Sequence, residues 1–97
     1  MIDFERRDVE AADGGLRILY EDNQKKGLSV TADKNGICIY GDGSQISMGE
    51  AYRFISVINL ARDHHDNIRE TGTTRPDEDI LRRRNNRDAD LFDALQY

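Results

Sequence analysis

Leu28-Ser29-Val30-Thr31-Ala32-Asp33-Lys34-Asn35-Gly36-Ile37-Cys38-Ile39-Tyr40 decides the fold class. Residues 28–32 alternate apolar and polar with the period of two that a half-buried strand requires. Asp33-Lys34-Asn35-Gly36 supplies a hairpin turn, with Asn-Gly the strongest short-range signal in it, and Ile37 to Tyr40 reads as the returning strand. Gly41-Asp42-Gly43 then marks a bend or bulge.

Upstream, Leu16-Arg17-Ile18-Leu19-Tyr20-Glu21 is rich in strand formers, and 22–27 is a polar turn. Connections this short predict an antiparallel meander of three strands. The first segment, Ile2 to Asp13, ends at Asp13-Gly14-Gly15 and has two readings: a fourth strand, or a short helix with a glycine C-cap. Glu5-Arg6-Arg7-Asp8 fits a half-buried strand poorly, which favours the helix.

Downstream, Ser47-Met48-Gly49-Glu50 matches a capping box. Ala51, Phe54, Ile55, Ile58, Ala61, His65 and Ile68 recur at three- and four-residue steps, predicting an amphipathic helix over Met48 to Arg69 that Thr71-Gly72-Thr73-Thr74 ends. A second helix begins near Pro76, with Asp77, Glu78 and Asp79 at the positive end of its dipole. Opposite charges four residues apart predict the pairs Glu78–Arg82, Asp79–Arg83 and Arg84–Asp88, with a break near Asn85-Asn86. The expected class is therefore α+β: a meander packed by one long helix, with residues 1–70 as the core and 71–97 as a charged helical extension.

Composition bounds the function. The chain has 97 residues, 37% apolar and 34% charged, enough for one core without a metal or disulfide. Cys38 is the single cysteine, so it has no internal partner, and its apolar neighbours predict a buried, inert thiol in a reducing compartment. The N-terminal residues lack the order of a signal peptide and no apolar run could span a bilayer, which points to the cytoplasm. Net charge is −5, with ten acids against six bases in residues 1–50 and nine against eight in 51–97. An acidic surface disfavours phosphate binding and suits a basic partner.

The candidates for chemistry are weak. His64 and His65 are adjacent, so on a helix they point about 100° apart and cannot share a metal as an i,i+4 pair would; one half-buried and one solvated histidine is the simpler reading. Gly41-Asp42-Gly43-Ser44 lacks the lysine and spacing of a phosphate loop. No triad signature, metal set or cofactor motif is present, and no enzyme is expected. Arg82, Arg83, Arg84 and Arg87 form the one basic cluster, but acids flank it on both sides and no aromatic is interleaved. Leu91, Phe92 and Leu95 make a small apolar patch suited to an oligomer or a partner helix. Asp88-Ala89-Asp90-Leu91-Phe92 is similar to the peptide by which bacterial replication proteins dock on the sliding clamp, except that Asp88 stands where that peptide has Gln.

One wider resemblance concerns two local stretches. Asp33-Lys34-Asn35-Gly36-Ile37-Cys38-Ile39 followed by Ala51-Tyr52-Arg53-Phe54-Ile55-Ser56 resembles the hairpin-then-helix region of small acidic phage-encoded anti-CRISPR inhibitors of the single-protein CRISPR nuclease, over about forty residues. The arginine-rich tail departs from that family's acidic one. The resemblance implies a stoichiometric, non-enzymatic inhibitor whose carboxylates occupy a basic nucleic-acid channel of a host protein, with Glu21, Asp22, Asp33 and Asp42 as the contacts. Two other functions remain open on the residues: an oligomeric interaction module built on the C-terminal helix, including a homodimer, and a nucleic-acid-binding protein led by the arginine cluster.

Overall fold

The computed structural model describes residues 4–23, 27–41 and 45–84. Four strands, β1 (Phe4–Glu10), β2 (Leu16–Asp22), β3 (Ser29–Asp33) and β4 (Gly36–Tyr40), form one antiparallel sheet in the order β1-β2-β3-β4. Helix α1 (Met48–Thr71) covers one face, lying chiefly over β3. A second helix, α2, runs from residue 77 to the end of the described chain at 84. The fold is α+β.

The meander from β2 to β4 forms as the alternation predicts. Lys34 and Asn35 alone span the gap between Asp33 and Gly36, which pair across the turn. Asp33 Oδ1 accepts the Asn35 amide at 2.8 Å, the Asx contact that stabilises such turns. Capping at α1 is also as expected. Ser47 Oγ accepts the Glu50 amide at 3.2 Å, Glu50 reaches back to the Ser47 amide, and Gly72 ends the helix in the left-handed conformation at φ 70°.

Four expectations need correction. Residues 4–10 are a strand, not a helix: they pair with all of β2, from Phe4 opposite Asp22 to Glu10 opposite Leu16. The charged block is tolerated because β1 is an edge, where charge protects exposed backbone groups, and because Arg6 pairs with Asp8 on the same face at 3.0 Å. Cys38 is exposed rather than buried, because alternation along β4 turns it to the sheet face that no described helix covers. Ile55, counted on the apolar face of α1, is 53% exposed. The buried residues of α1 are Val57, Leu60, Ala61, Asp63, His64, Asn67 and Ile68, because this helix is covered on two flanks, by the sheet and by the 73–84 segment. Finally, the tail pairs differ. Arg82 meets Asp79 at 3.6 Å, Arg83 donates to Asn67 at 3.1 Å, and Arg84 bonds Asp63, while Asp88 lies outside the described residues, as does the expected break at Asn85-Asn86.

The core follows from this layering. Ile18, Tyr20, Val30 and Ala32 project from the sheet onto Val57, Leu60, Ala61 and Ile68 of α1, and Ile80 of α2 joins them. Phe4 stacks on Phe54 with ring centroids 5.8 Å apart, closing one end. Residues 73–84 thus pack on the core. No helix among the described residues is long and apolar enough to cross a membrane.

Candidate functional site

Two features stand out: a partly buried polar cluster that joins four elements, and the sheet face that no described helix covers. The cluster centres on Asp77 at the start of α2. Its Oδ1 accepts from Arg6 Nη1 of β1 at 2.6 Å, from the Tyr20 hydroxyl of β2 at 2.8 Å, and from His64 Nε2 of α1 at 2.9 Å. Arg6 also donates to the Arg75 carbonyl at 2.8 Å. With Nε2–H donating, His64 Nδ1 is the bare ring nitrogen; it is buried and has no hydrogen-bond partner among the described residues.

Tyr–Asp–His is a combination that can move protons, so its access matters. His64 is 0% and Tyr20 2% exposed. The shallow cleft beside Asp77 is lined by Arg6, Asp8, Arg75 and Glu78, among others, and is polar and already internally bonded. Both proton-carrying groups are sealed beneath it. The geometry is that of a clamp holding α2 to the sheet.

The clamp makes stability depend on pH at both extremes. Burial pushes the Asp77 carboxyl upward, but hydrogen bonds from His64 and Tyr20, with the Arg6 charge, outweigh it and hold the group below its ordinary 3.8. A lowered carboxyl contributes stability above its unfolded value and loses it as pH falls through the folded one. Burial, reinforced by the hydrogen bond to Asp77, raises the Tyr20 phenol far above its ordinary 10.0. A raised phenol contributes fully below that value and loses the contribution as pH climbs past it. The melting temperature should therefore drop below about pH 4 and again above about pH 10. Tyr20→Phe should shrink the acid limb, leaving the part that His64 and Arg6 sustain, and flatten much of the alkaline one, read by circular dichroism melts across pH; an unchanged alkaline limb would remove Tyr20 as its cause.

The bare sheet face is set by strand register. Glu5, Arg7 and Val9 of β1 stand beside Arg17, Leu19 and Glu21 of β2, then Ser29, Thr31 and Asp33 of β3, and Cys38 and Tyr40 of β4. Glu21 and Asp33 share this face. Each is held by one of the chain's own arginines, Glu21 by Arg7 and Asp33 by Arg17 at 3.1 Å. Asp22 sits opposite Phe4 on the helix-bearing face and so does not join them. Asp42 lies outside the described residues. Glu5, which sequence reasoning passed over, stands directly opposite Glu21.

The alternative surfaces fare differently. Arg82, Arg83 and Arg84 are engaged with Asp79, Asn67 and Asp63, so these three are not an unpaired cationic stripe. Arg87, Leu91, Phe92 and Leu95 lie outside the described residues. His64 is fully buried rather than half-buried, and His65 is half-buried with Nδ1 2.6 Å from the Asp33 carbonyl. Among the described residues no group of three His, Cys, Asp or Glu could hold a metal ion. The clamp had one faint signal in the sequence: polar Asp63, His64 and Asn67 recur beside Leu60 at helical spacing, marking a second buried flank on α1.

No family model, no curated protein and no solved structure matches this chain.

Proposed function

We propose that this protein is a non-enzymatic binding protein that docks its bare sheet face on a basic, nucleic-acid-handling surface of another protein, as an inhibitor of the anti-CRISPR kind. The observation that carries the reading is the opposition of Glu5 and Glu21 on that face. Like charges directly opposite on a sheet destabilise it, and among the described residues Arg7 pairs with Glu21 rather than Glu5. A cation from a partner would relieve Glu5. The Arg7–Glu21 pair is about half exposed on both sides, and exposed pairs are worth roughly 0–1 kcal/mol, so an incoming arginine or lysine can displace Arg7 cheaply. Asp33 would exchange Arg17 less readily, since its side chain is only 14% exposed. The contacts proposed are therefore Glu5, Glu21 and Asp33, while the chain's net charge of −5 steers the encounter.

The test is a cleavage assay with the purified single-protein CRISPR nuclease and its guide, titrated with this protein. Wild type should abolish cleavage near one equivalent, and the triple variant Glu5→Gln, Glu21→Gln, Asp33→Asn should need at least about tenfold more. Full cleavage in excess wild-type protein at low salt would end the proposal.

A further inference from the structure

The two edges of the sheet are unlike. β1 bears Glu5, Arg6, Arg7, Asp8 and Glu10, the kind of charge that keeps an edge from pairing with another chain. β4, Gly36-Ile37-Cys38-Ile39-Tyr40, carries no charged residue and no proline, and its last three residues are exposed. Counting from the two-residue turn, Gly36, Cys38 and Tyr40 bond inward to β3. Ile37 and Ile39 therefore turn their amides and carbonyls outward.

The surface beside this edge carries exposed apolar side chains, although Arg62 and Arg69 continue the Ile55 stripe of α1 at seven-residue steps. Ile39 points to the helix-bearing face, yet is 50% exposed. On α1 the flank carrying Leu60, Asp63, His64 and Asn67 meets the 73–84 segment on the β1–β2 side. The opposite flank therefore turns toward β4, as the His65 bond to the Asp33 carbonyl also requires. Ile55, 53% exposed, lies toward that flank, while Met48 and Tyr52, 70% and 65% exposed, lie on the outer surface of the helix.

We propose that two copies of this chain join edge to edge through β4, antiparallel about a two-fold axis at Cys38, to make one continuous eight-stranded sheet. The strand's own pattern names the occupant. A two-fold at Cys38 sets Ile37 against Ile39 of the other copy twice over, in the bonded positions, and sets Gly36 against Tyr40, so that a ring lies over a residue with no side chain. A strand from an unrelated partner requires no such mirror symmetry. Charge argues the same way. Chains of net charge −5 repel, and this uncharged edge lets two of them meet without opposing carboxylates, whereas β1 against β1 would stack them. Ile39 from both copies then lies at the seam on the helix-bearing face, with Ile55 beside it. The dimer leaves the bare face of each sheet open, so it is independent of the inhibitor reading.

The axis places a reporter. Facing residues in a non-bonded antiparallel pair have Cα atoms about 4.5 Å apart, within the roughly 4.4–6.8 Å that a disulfide spans. The test combines sedimentation equilibrium with diamide oxidation of the full chain. The expected mass is twice 11.1 kDa. Diamide, taking two electrons and two protons from the two Cys38 thiols, should convert that dimer to a covalent one. Ile39→Lys should weaken association by roughly a hundredfold, since it buries an unpaired ammonium at the seam. Cys38→Lys, at an exposed site that leaves folding intact, should do likewise through like charges at the axis. A chain that stays monomeric at every concentration would overturn the proposal. So would a dimer that survives both lysine variants, or one lost only when residues 85–97 are removed.

Discussion

Asp77→Ala should lower the free energy of unfolding by about 3 kcal/mol, a large share of the roughly 5–15 kcal/mol that holds a domain of this size together. The substitution leaves three donors without their acceptor: Arg6 Nη1, the Tyr20 hydroxyl and His64 Nε2. A buried polar group left unsatisfied costs about 1–3 kcal/mol. The losses do not simply add, because Arg6 keeps Asp8 and the Arg75 carbonyl, whereas the hydroxyl of Tyr20 and Nε2 of His64 are left sealed in the core. Urea unfolding followed by far-ultraviolet circular dichroism measures the effect. A loss below about 1 kcal/mol would mean that Ile80 and the Arg83 and Arg84 contacts to α1 hold α2 without the clamp. Asp77→Asn separates charge from hydrogen bonding, since it keeps an acceptor of similar shape and should fall between alanine and wild type.

The second large effect contrasts two neighbours. Ile18→Ala should cost about 4 kcal/mol and Leu19→Ala only about 1 kcal/mol. Ile18 is 0% exposed and points into the core, opposite Ala32, beneath α1. Leu19 points the other way, between Arg7 and Thr31, on the face without a helix. Truncating Ile18 leaves a cavity that the packed layers cannot collapse to fill, while truncating Leu19 removes partial cover on an open surface. Equal costs, by the same urea measurement, would show that the bare face is covered, and the docking proposal would lose its surface.

The elements that could be read from the sequence are those specified locally. Ser47 and Glu50 write the start of α1 in four residues, and Asp33 to Gly36 writes the β3–β4 turn in the same span. β1 was illegible because its case rests on distant partners. Arg6 looks wrong for a strand until Asp77, 71 residues away, accepts from it. The face of α1 was misjudged for a related reason. A single buried stripe predicts Ile55 inside, but the 73–84 segment covers a second flank, so polar Asp63, His64 and Asn67 are buried and Ile55 is not. Apolar neighbours predict Cys38 in the core, but strand alternation turns it to the face that no described helix covers.

The candidate site was partly legible. Glu21 and Asp33 do share a face, as strand parity allows, and Asp22, one residue from Glu21, takes the other face for the same reason. What the sequence hid was the pairing. Arg7 and Arg17 reach their carboxylates across neighbouring strands, and Glu5 becomes a candidate only once β1 lies beside β2.

Isothermal titration of the CRISPR nuclease with this protein, repeated over a series of salt concentrations, addresses the docking claim most directly. Wild type should bind at one equivalent with a dissociation constant that rises steadily with salt, and the Glu5→Gln, Glu21→Gln, Asp33→Asn variant should bind at least about tenfold more weakly with a shallower salt dependence. Binding that is indifferent both to salt and to those three carboxylates, or no heat at low salt, would contradict it.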